Sequence, residues 1–72
     1  MPTMQKTLGD HIQIKRYENH LSLRQVAEQV GVATAIVTAW EEDAKVPNEI
    51  QWQSLEALLM LDPALNPAKA NR

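Results

Sequence analysis

A small residue, a glycine and a β-branched residue stand at Ala27, Gly31 and Val37, four and then six positions apart. Because Ala27 lacks bulk, a second helix can cross close above it. Gly31 can adopt the left-handed conformation that ends a helix without the steric penalty of a Cβ atom. Val37 then fills the crevice between the two helices. The segment from Ser22 to Glu41, SLRQVAEQVGVATAIVTAWE, is therefore predicted to form two short helices joined by a tight turn.

Apolar residues recur at helical spacing on both sides of this pair and predict two further helices. Thr7, Ser22 and Asn48 are the expected N-caps, because their side chains can accept a hydrogen bond from the first helical turn. The chain is expected to be all-α, with four helices and an optional short fifth. The predicted helices comprise residues 8–20, 23–30, 33 or 34 to 42, and 49–61, with a short turn at 63–66. The predicted domain is 7–62, between an N-terminal extension (1–6) and a short C-terminal tail (63–72).

The first predicted helix carries two neighbouring stripes, the second carries residues that should face inward, and the fourth carries a broad apolar surface. A chain of 72 residues buries only about 60% of its unfolded surface and has no cysteine to cross-link it. Helix packing or a partner subunit must therefore stabilise it. The residues placed on these stripes are Leu8, Ile12, Arg16, Ile14, Tyr17 and Leu21; Leu23, Val26, Ala27 and Val30; and Ile50, Trp52, Leu55, Leu58, Leu59 and Leu61.

Several separated motifs of this sequence resemble the lambda-repressor/Cro-type helix-turn-helix family, the Xre family of bacterial and phage transcriptional regulators. The resemblance extends from Leu8 to about Pro63 and implies a lambda-repressor-like domain whose third helix enters the major groove of double-stranded DNA. The motifs that carry it are Leu8-Gly9, Ile12, Arg16, Leu21-Ser22, Val26-Ala27, Gly31-Val32, Val37, Trp40-Glu41, Pro47 and the leucines of the last helix.

The same resemblance implies an ion pair between Arg16 on the first helix and Glu41 at the end of the third. A bidentate pair would fix the angle of the presenting helix and would favour arginine over lysine. The alternative is that both side chains are solvated charges that contribute almost nothing to stability.

The resemblance also implies which residues would contact DNA. The base-facing positions fall on Thr34, Ala35, Thr38 and Ala39. The phosphate contacts fall on Ser22, Leu23 and Arg24, with Lys45 as the nearby cation and Lys15 and Lys6 as further support.

These residues predict weak or narrowly focused DNA binding without strong sequence specificity. Threonine and alanine offer methyl groups and single hydroxyls, so the bidentate base contacts worth about 1–3 kcal/mol each are missing. No lysine or arginine lies between Gly31 and Ala44, and Glu42 and Asp43 are expected to face phosphate and repel it. The formal net charge of −2 also departs from the basic excess typical of nucleic-acid-binding domains.

Two other functions fit the same residues. The uncharged third helix could bind a protein partner, as in an antitoxin-like or co-regulator module, with DNA binding weakened or lost. The chain could also be a dimerisation domain of a longer regulator. A homodimer through the C-terminal helix is expected, above all for a DNA-binding protein with few contacts, because that helix carries more apolar surface than a monomer needs. The interface would include some of Trp52, Leu58, Leu59, Leu61 and Leu65, and the alternative is that these residues simply close the core.

Catalytic and metal chemistry is not expected. His11 and His20 lie on different faces of the first helix with no cysteine beside them, so neither a metal nor another cofactor is predicted. Ser22 is accounted for as an N-cap rather than a nucleophile, and Trp40 and Trp52 as core or subunit contacts.

The N-terminal sequence, MPTMQKTLGD, has no apolar stretch typical of a signal peptide, so a cytoplasmic protein without membrane contact is predicted.

Overall fold

The computed structural model describes residues 7–67, and these form an all-α domain of four helices. This confirms the predicted fold class. The predicted N-terminal extension and the end of the C-terminal tail lie outside the described residues. The helices are α1 (Leu8–Glu18), α2 (Leu23–Val30), α3 (Thr34–Glu41) and α4 (Glu49–Leu59), followed by a 3-10 turn at Pro63–Leu65. No helix within residues 7–67 has the length and apolarity needed to cross a membrane.

Three helices begin with a capping box, and the three predicted N-caps are confirmed. The Ser22 hydroxyl accepts the backbone N–H of Gln25 at 3.1 Å, while the Gln25 side chain accepts the N–H of Ser22 at 2.7 Å. Thr7 and Asn48 make the same reciprocal pair with the third residue of their helices. These short local interactions fix where α1, α2 and α4 begin.

The turn between α2 and α3 has the predicted structure. Gly31 lies in the left-handed region at φ 89°, and the N–H groups of Gly31 and Val32 both donate to the Ala27 carbonyl, at 2.8 and 3.0 Å. Ala27 and Val37 are both buried. This places α3 across α2 as the spacing of the three residues indicates.

The core contains residues from all four helices. Arg16 is the buried charged residue among them, whereas Tyr17 and Ile50 differ from the core residues of their helices in being 60% and 75% exposed. Helical register explains both differences. Tyr17 follows the inward-facing Arg16 by one residue, and Ile50 stands two residues before the inward-facing Trp52, on the opposite face of α4. The buried apolar residues are Ile12, Val26, Ala27, Val37, Trp40, Trp52, Leu55, Leu59 and Leu61.

The helix ends differ slightly from the predicted ones. The prediction for α1 extends to His20, but the helix ends at Glu18 and His20 adopts a left-handed φ of 58°. Likewise α4 ends at Leu59, because Met60 adopts a left-handed φ of 56°. The chain then turns back and packs beyond the predicted boundary at residue 62. Leu65 contacts the core, and Asn66 is buried.

Replacing Met60 with glycine is expected to stabilise the domain. The left-handed conformation costs a non-glycine residue about 1–2 kcal/mol, and the greater freedom of glycine in the unfolded chain offsets about 0.4–1 kcal/mol of that gain. Met60 is 79% exposed, so little burial is lost. Urea unfolding should show a free energy of unfolding higher by about 0.5–1 kcal/mol. Ala57→Gly, inside the same helix, should instead destabilise by about the same amount. An equal loss in both variants would contradict the expectation.

Candidate nucleic-acid interface

The outer face of α3 carries only small, uncharged side chains. Val37 and Trp40 point into the core, where α3 packs against α1 and α2. Thr34 and Ala35 at the start of the helix are exposed, whereas Thr38 and Ala39 are half-buried. The four positions implied to face bases thus divide into two that are open to solvent and two that are partly covered.

Among the helices of the described region, α3 alone begins without a side-chain cap. Its N-cap is Ala33, whose methyl group cannot accept a hydrogen bond. The Ile36 N–H donates to the Ala33 carbonyl at 2.9 Å, and the two preceding residues, Thr34 and Ala35, are exposed. Backbone N–H groups at such a position can donate to an anion.

The far end of α3 is held by the predicted pair between Arg16 and Glu41, which is confirmed. Arg16 Nε donates to Glu41 Oε2 at 2.6 Å and Nη2 donates to Oε1 at 3.2 Å, so the pair is bidentate. The side chains are only 8% and 7% exposed, which rules out the solvated alternative. Arg16 Nη1 also donates to the Leu21 carbonyl at 3.1 Å. The hydrogen bond to Glu41 raises the pKa of Arg16, outweighing the burial that would lower it.

A second contact between α1 and α3 was not predicted from the sequence. Gly9 packs directly on the last turn of α3, where a Cβ atom would lie 2.6 Å from the Trp40 carbonyl oxygen and still closer to that of Glu41. The Gly9 N–H donates to Asp43 Oδ1 at 3.0 Å. Asp43 itself adopts a left-handed φ of 61°, which aspartate tolerates better than most residues. Together with the Arg16 pair, these contacts fix α1 against the end of α3.

The residues implied to contact phosphate are partly engaged elsewhere. Ser22 caps α2, and Leu23 is half-buried against the core. Arg24 is 82% exposed and lies 3.4 Å from Glu28, one turn along the same helix. Lys15 pairs similarly with Glu18 at 3.4 Å. Lys45 is exposed and forms no ion pair within residues 7–67, and Lys6 lies outside the described region.

The folded region is acidic. All nine acidic residues fall within residues 7–67, whereas this stretch contains only four of the seven basic ones. Glu42 is exposed after the last turn of α3, as expected. The expectation for Asp43 needs correction, because its carboxylate accepts the Gly9 N–H and is therefore partly committed to the fold. The exposed carboxylate of Glu42 therefore lies at the C-terminal end of α3, away from the starts of α2 and α3.

The residues expected at a dimer interface lie mostly inside the single chain. Trp52, Leu59 and Leu61 are buried in the core, and only Leu58 and Leu65 remain partly exposed. Trp40 is a core residue as well. The buried Nε1 of Trp52 has no hydrogen-bond partner among the described residues.

No group of three histidine, cysteine or acidic side chains in residues 7–67 is arranged to hold a metal ion. Comparison of the chain with protein-family models, curated proteins and solved structures finds no match. The family resemblance therefore stays a prediction that rests on the sequence motifs.

Proposed function

We propose that the protein is a DNA-binding transcriptional regulator of the lambda-repressor/Cro type that places α3 in the major groove. The observation that carries this proposal is the way α3 is presented. The Arg16–Glu41 pair and the Gly9 contact fix its C-terminal end, while its outer face bears small side chains that let the backbone approach base edges closely. A rigid, outward-facing helix of this kind is what major-groove recognition requires.

Base recognition would rely on methyl groups. Thr34 and Ala35 are the exposed base-facing residues, with Thr38 and Ala39 behind them. The thymine C5-methyl is the one apolar group that the major groove displays, and alanine and threonine methyl groups pack against it. The proposed target is therefore rich in thymine, with further selectivity from duplex shape.

Phosphate binding would come from the start of α2 and α3. Arg24 supplies an exposed cation and the uncapped first turn of α3 supplies backbone donors, whereas Lys45 lies beyond the acidic end of α3. These contacts are few, so a homodimer that binds two half-sites would raise the affinity without new contacts in each subunit. Leu58 and Leu65 are the partly exposed residues available for such a dimer.

Selection of binding sites from random duplexes tests the proposal. At about 50 mM salt the protein should retain a defined, two-fold symmetric site, with weaker binding at about 200 mM. Arg24→Ala should weaken binding to every retained sequence and lower the salt slope by about one unit, whereas Arg24→Lys, which keeps the charge, should bind almost normally. Failure to retain any duplex at the lower salt concentration would overturn the proposal.

Replacing thymine with uracil in a retained duplex should weaken binding strongly. The exchange removes the C5-methyl group and leaves base pairing intact, so it isolates the methyl contacts of Thr34 and Ala35. A loss of about fourfold per contacted thymine is expected in a fluorescence titration, because burial of one methyl group is worth about 0.8 kcal/mol. The matched control places uracil only outside the contacted half-sites. Equal affinity for both duplexes would exclude methyl recognition while leaving DNA binding intact.

Protein binding through α3 is the second candidate function. The specific observation that favours it is the acidic excess of residues 7–67 around an uncharged helix. Interface cores are depleted of charge, whereas DNA interfaces are strongly basic. In this case no duplex would be retained, and substitution of Ala35 with arginine would abolish capture of the protein partner.

A further inference from the structure

The junction between α3 and α4 carries an exposed apolar surface bordered by acids. Val46 is 65% exposed and Ile50 is 75% exposed, on either side of the buried Pro47. Two exposed acids belong to the same stretch of chain, Glu42 before Val46 and Glu49 directly before Ile50. We define the loop patch as Val46 and Ile50 together with Glu42 and Glu49.

The loop patch is a fixed part of the fold. The Ala44 N–H donates to the Ala39 carbonyl at 2.9 Å, which ties the junction to the last turn of α3. Asn48 begins α4 with a capping box and so sets the position of Ile50 in the first turn. Since Pro47 is buried between them, Val46 and Ile50 are held in place rather than carried on a loose loop.

The charges around the loop patch indicate which kind of partner is complementary to it. Glu42 and Glu49 form no ion pair within residues 7–67, and Lys45 is the single cation between them. A second copy of the chain docking through the same surface would bring these acids together, and DNA phosphate would also be repelled. A segment with apolar side chains flanked by lysine or arginine complements both features of the patch.

We propose that the loop patch binds a basic amphipathic segment of a partner protein. Its apolar side chains would cover Val46 and Ile50, and its cations would pair with Glu42 and Glu49. The inference goes beyond DNA binding and does not depend on it, because the loop patch lies past the C-terminal end of α3, whereas Thr34 and Ala35 begin that helix.

Titration of the protein with a labelled synthetic peptide tests the proposal. The probe is an amphipathic helix with leucine on one face and lysine on the other, and its matched control carries glutamate in place of lysine. Binding is followed by fluorescence anisotropy at about 150 mM salt, where unspecific attraction is screened. The lysine peptide should bind and the glutamate peptide should not.

Variants of exposed residues locate the binding site without disturbing the core. Val46→Ser with Ile50→Ser should weaken binding of the lysine peptide about tenfold or more, and Glu42→Gln with Glu49→Gln should weaken it severalfold. The control variants are Met60→Ser, which removes an equally exposed apolar residue, and Glu18→Gln, which removes an acid of α1. Both should bind normally.

Three results would overturn the proposal. The lysine peptide could fail to bind, or it could bind the patch variants and the controls equally, which would mean attraction to the acidic domain as a whole. The third is self-association in sedimentation experiments that disappears in the Val46→Ser and Ile50→Ser variant, because the occupant would then be a second copy of this chain. Circular dichroism confirms that each variant is folded.

Discussion

Replacement of Arg16 with alanine should lower the free energy of unfolding by about 3–5 kcal/mol. The substitution leaves the Glu41 carboxylate, only 7% exposed, without its counter-charge, and also removes the hydrogen bond to the Leu21 carbonyl. A helical domain of this size has a total stability of only about 3–5 kcal/mol from its core. The variant should therefore be largely unfolded at room temperature, with most of its helical circular dichroism signal lost.

This expected loss comes mainly from leaving the Glu41 carboxylate buried without a counter-charge, and not from a large net contribution of the ion pair to the free energy of unfolding. Replacing Arg16 with methionine and Glu41 with leucine should give a domain close to the original stability. This is expected because the free-energy cost of removing both charges from water is about as large as the free energy that their attraction returns. The Leu21 carbonyl then loses its donor, at a cost of about 1 kcal/mol. Arg16→Lys keeps the charge but cannot make the bidentate contact, so an intermediate loss is expected.

Thermal and urea unfolding of the three variants show whether the uncompensated charge or the ion pair itself determines the loss of stability. The expected order of stability is the double variant first, then Arg16→Lys, then Arg16→Ala. If Arg16→Ala lost less than about 1 kcal/mol, the pair would behave as a solvated surface pair despite its burial.

Much of the fold could be predicted because the determining interactions are local. The caps at Thr7, Ser22 and Asn48 and the left-handed turn at Gly31 each depend on residues within four positions of one another. The Arg16–Glu41 pair spans 25 residues, and only the family resemblance indicated it. Residues far apart in sequence leave no periodic signal that identifies them as neighbours.

The hydrogen bond between Gly9 and Asp43 could not be predicted from the sequence. Gly9 lies in the first turn of α1 and Asp43 follows α3, so their hydrogen bond depends on how the two helices are oriented. A glycine inside a predicted helix does indicate that something packs closely there. It does not indicate which backbone does so. The exposure of Ile50 could not be predicted for a related reason, since apolar character alone does not say which face of α4 a residue occupies.

Substitution of Gly9 with alanine should destabilise the domain, although alanine favours helix formation by about 1 kcal/mol over glycine. The added Cβ would lie 2.6 Å from the Trp40 carbonyl oxygen and 2.8 Å from the Glu41 carbonyl carbon. Both are backbone atoms, so α1 and α3 must move apart to admit the methyl group. Overpacking of this kind costs about 1–3 kcal/mol, and the shift also strains the hydrogen bond to Asp43. A net loss of about 1–2 kcal/mol is expected in urea unfolding, because the helix propensity of alanine offsets about 1 kcal/mol of the steric cost.

Gly31→Ala separates this steric effect from the general effect of replacing glycine. No atom lies within 4 Å of a Cβ at Gly31, so its expected loss of about 0.5–1 kcal/mol comes from the left-handed φ, less the unfolded-state entropy that alanine removes. A displacement of α1 by Gly9→Ala should also loosen the Arg16–Glu41 pair, because both contacts join the same two helices. The losses from Gly9→Ala and Arg16→Lys should then be less than additive in a double-mutant cycle. Full additivity, or a more stable Gly9→Ala variant, would mean that α1 does not pack on the last turn of α3 as closely as the structure has it.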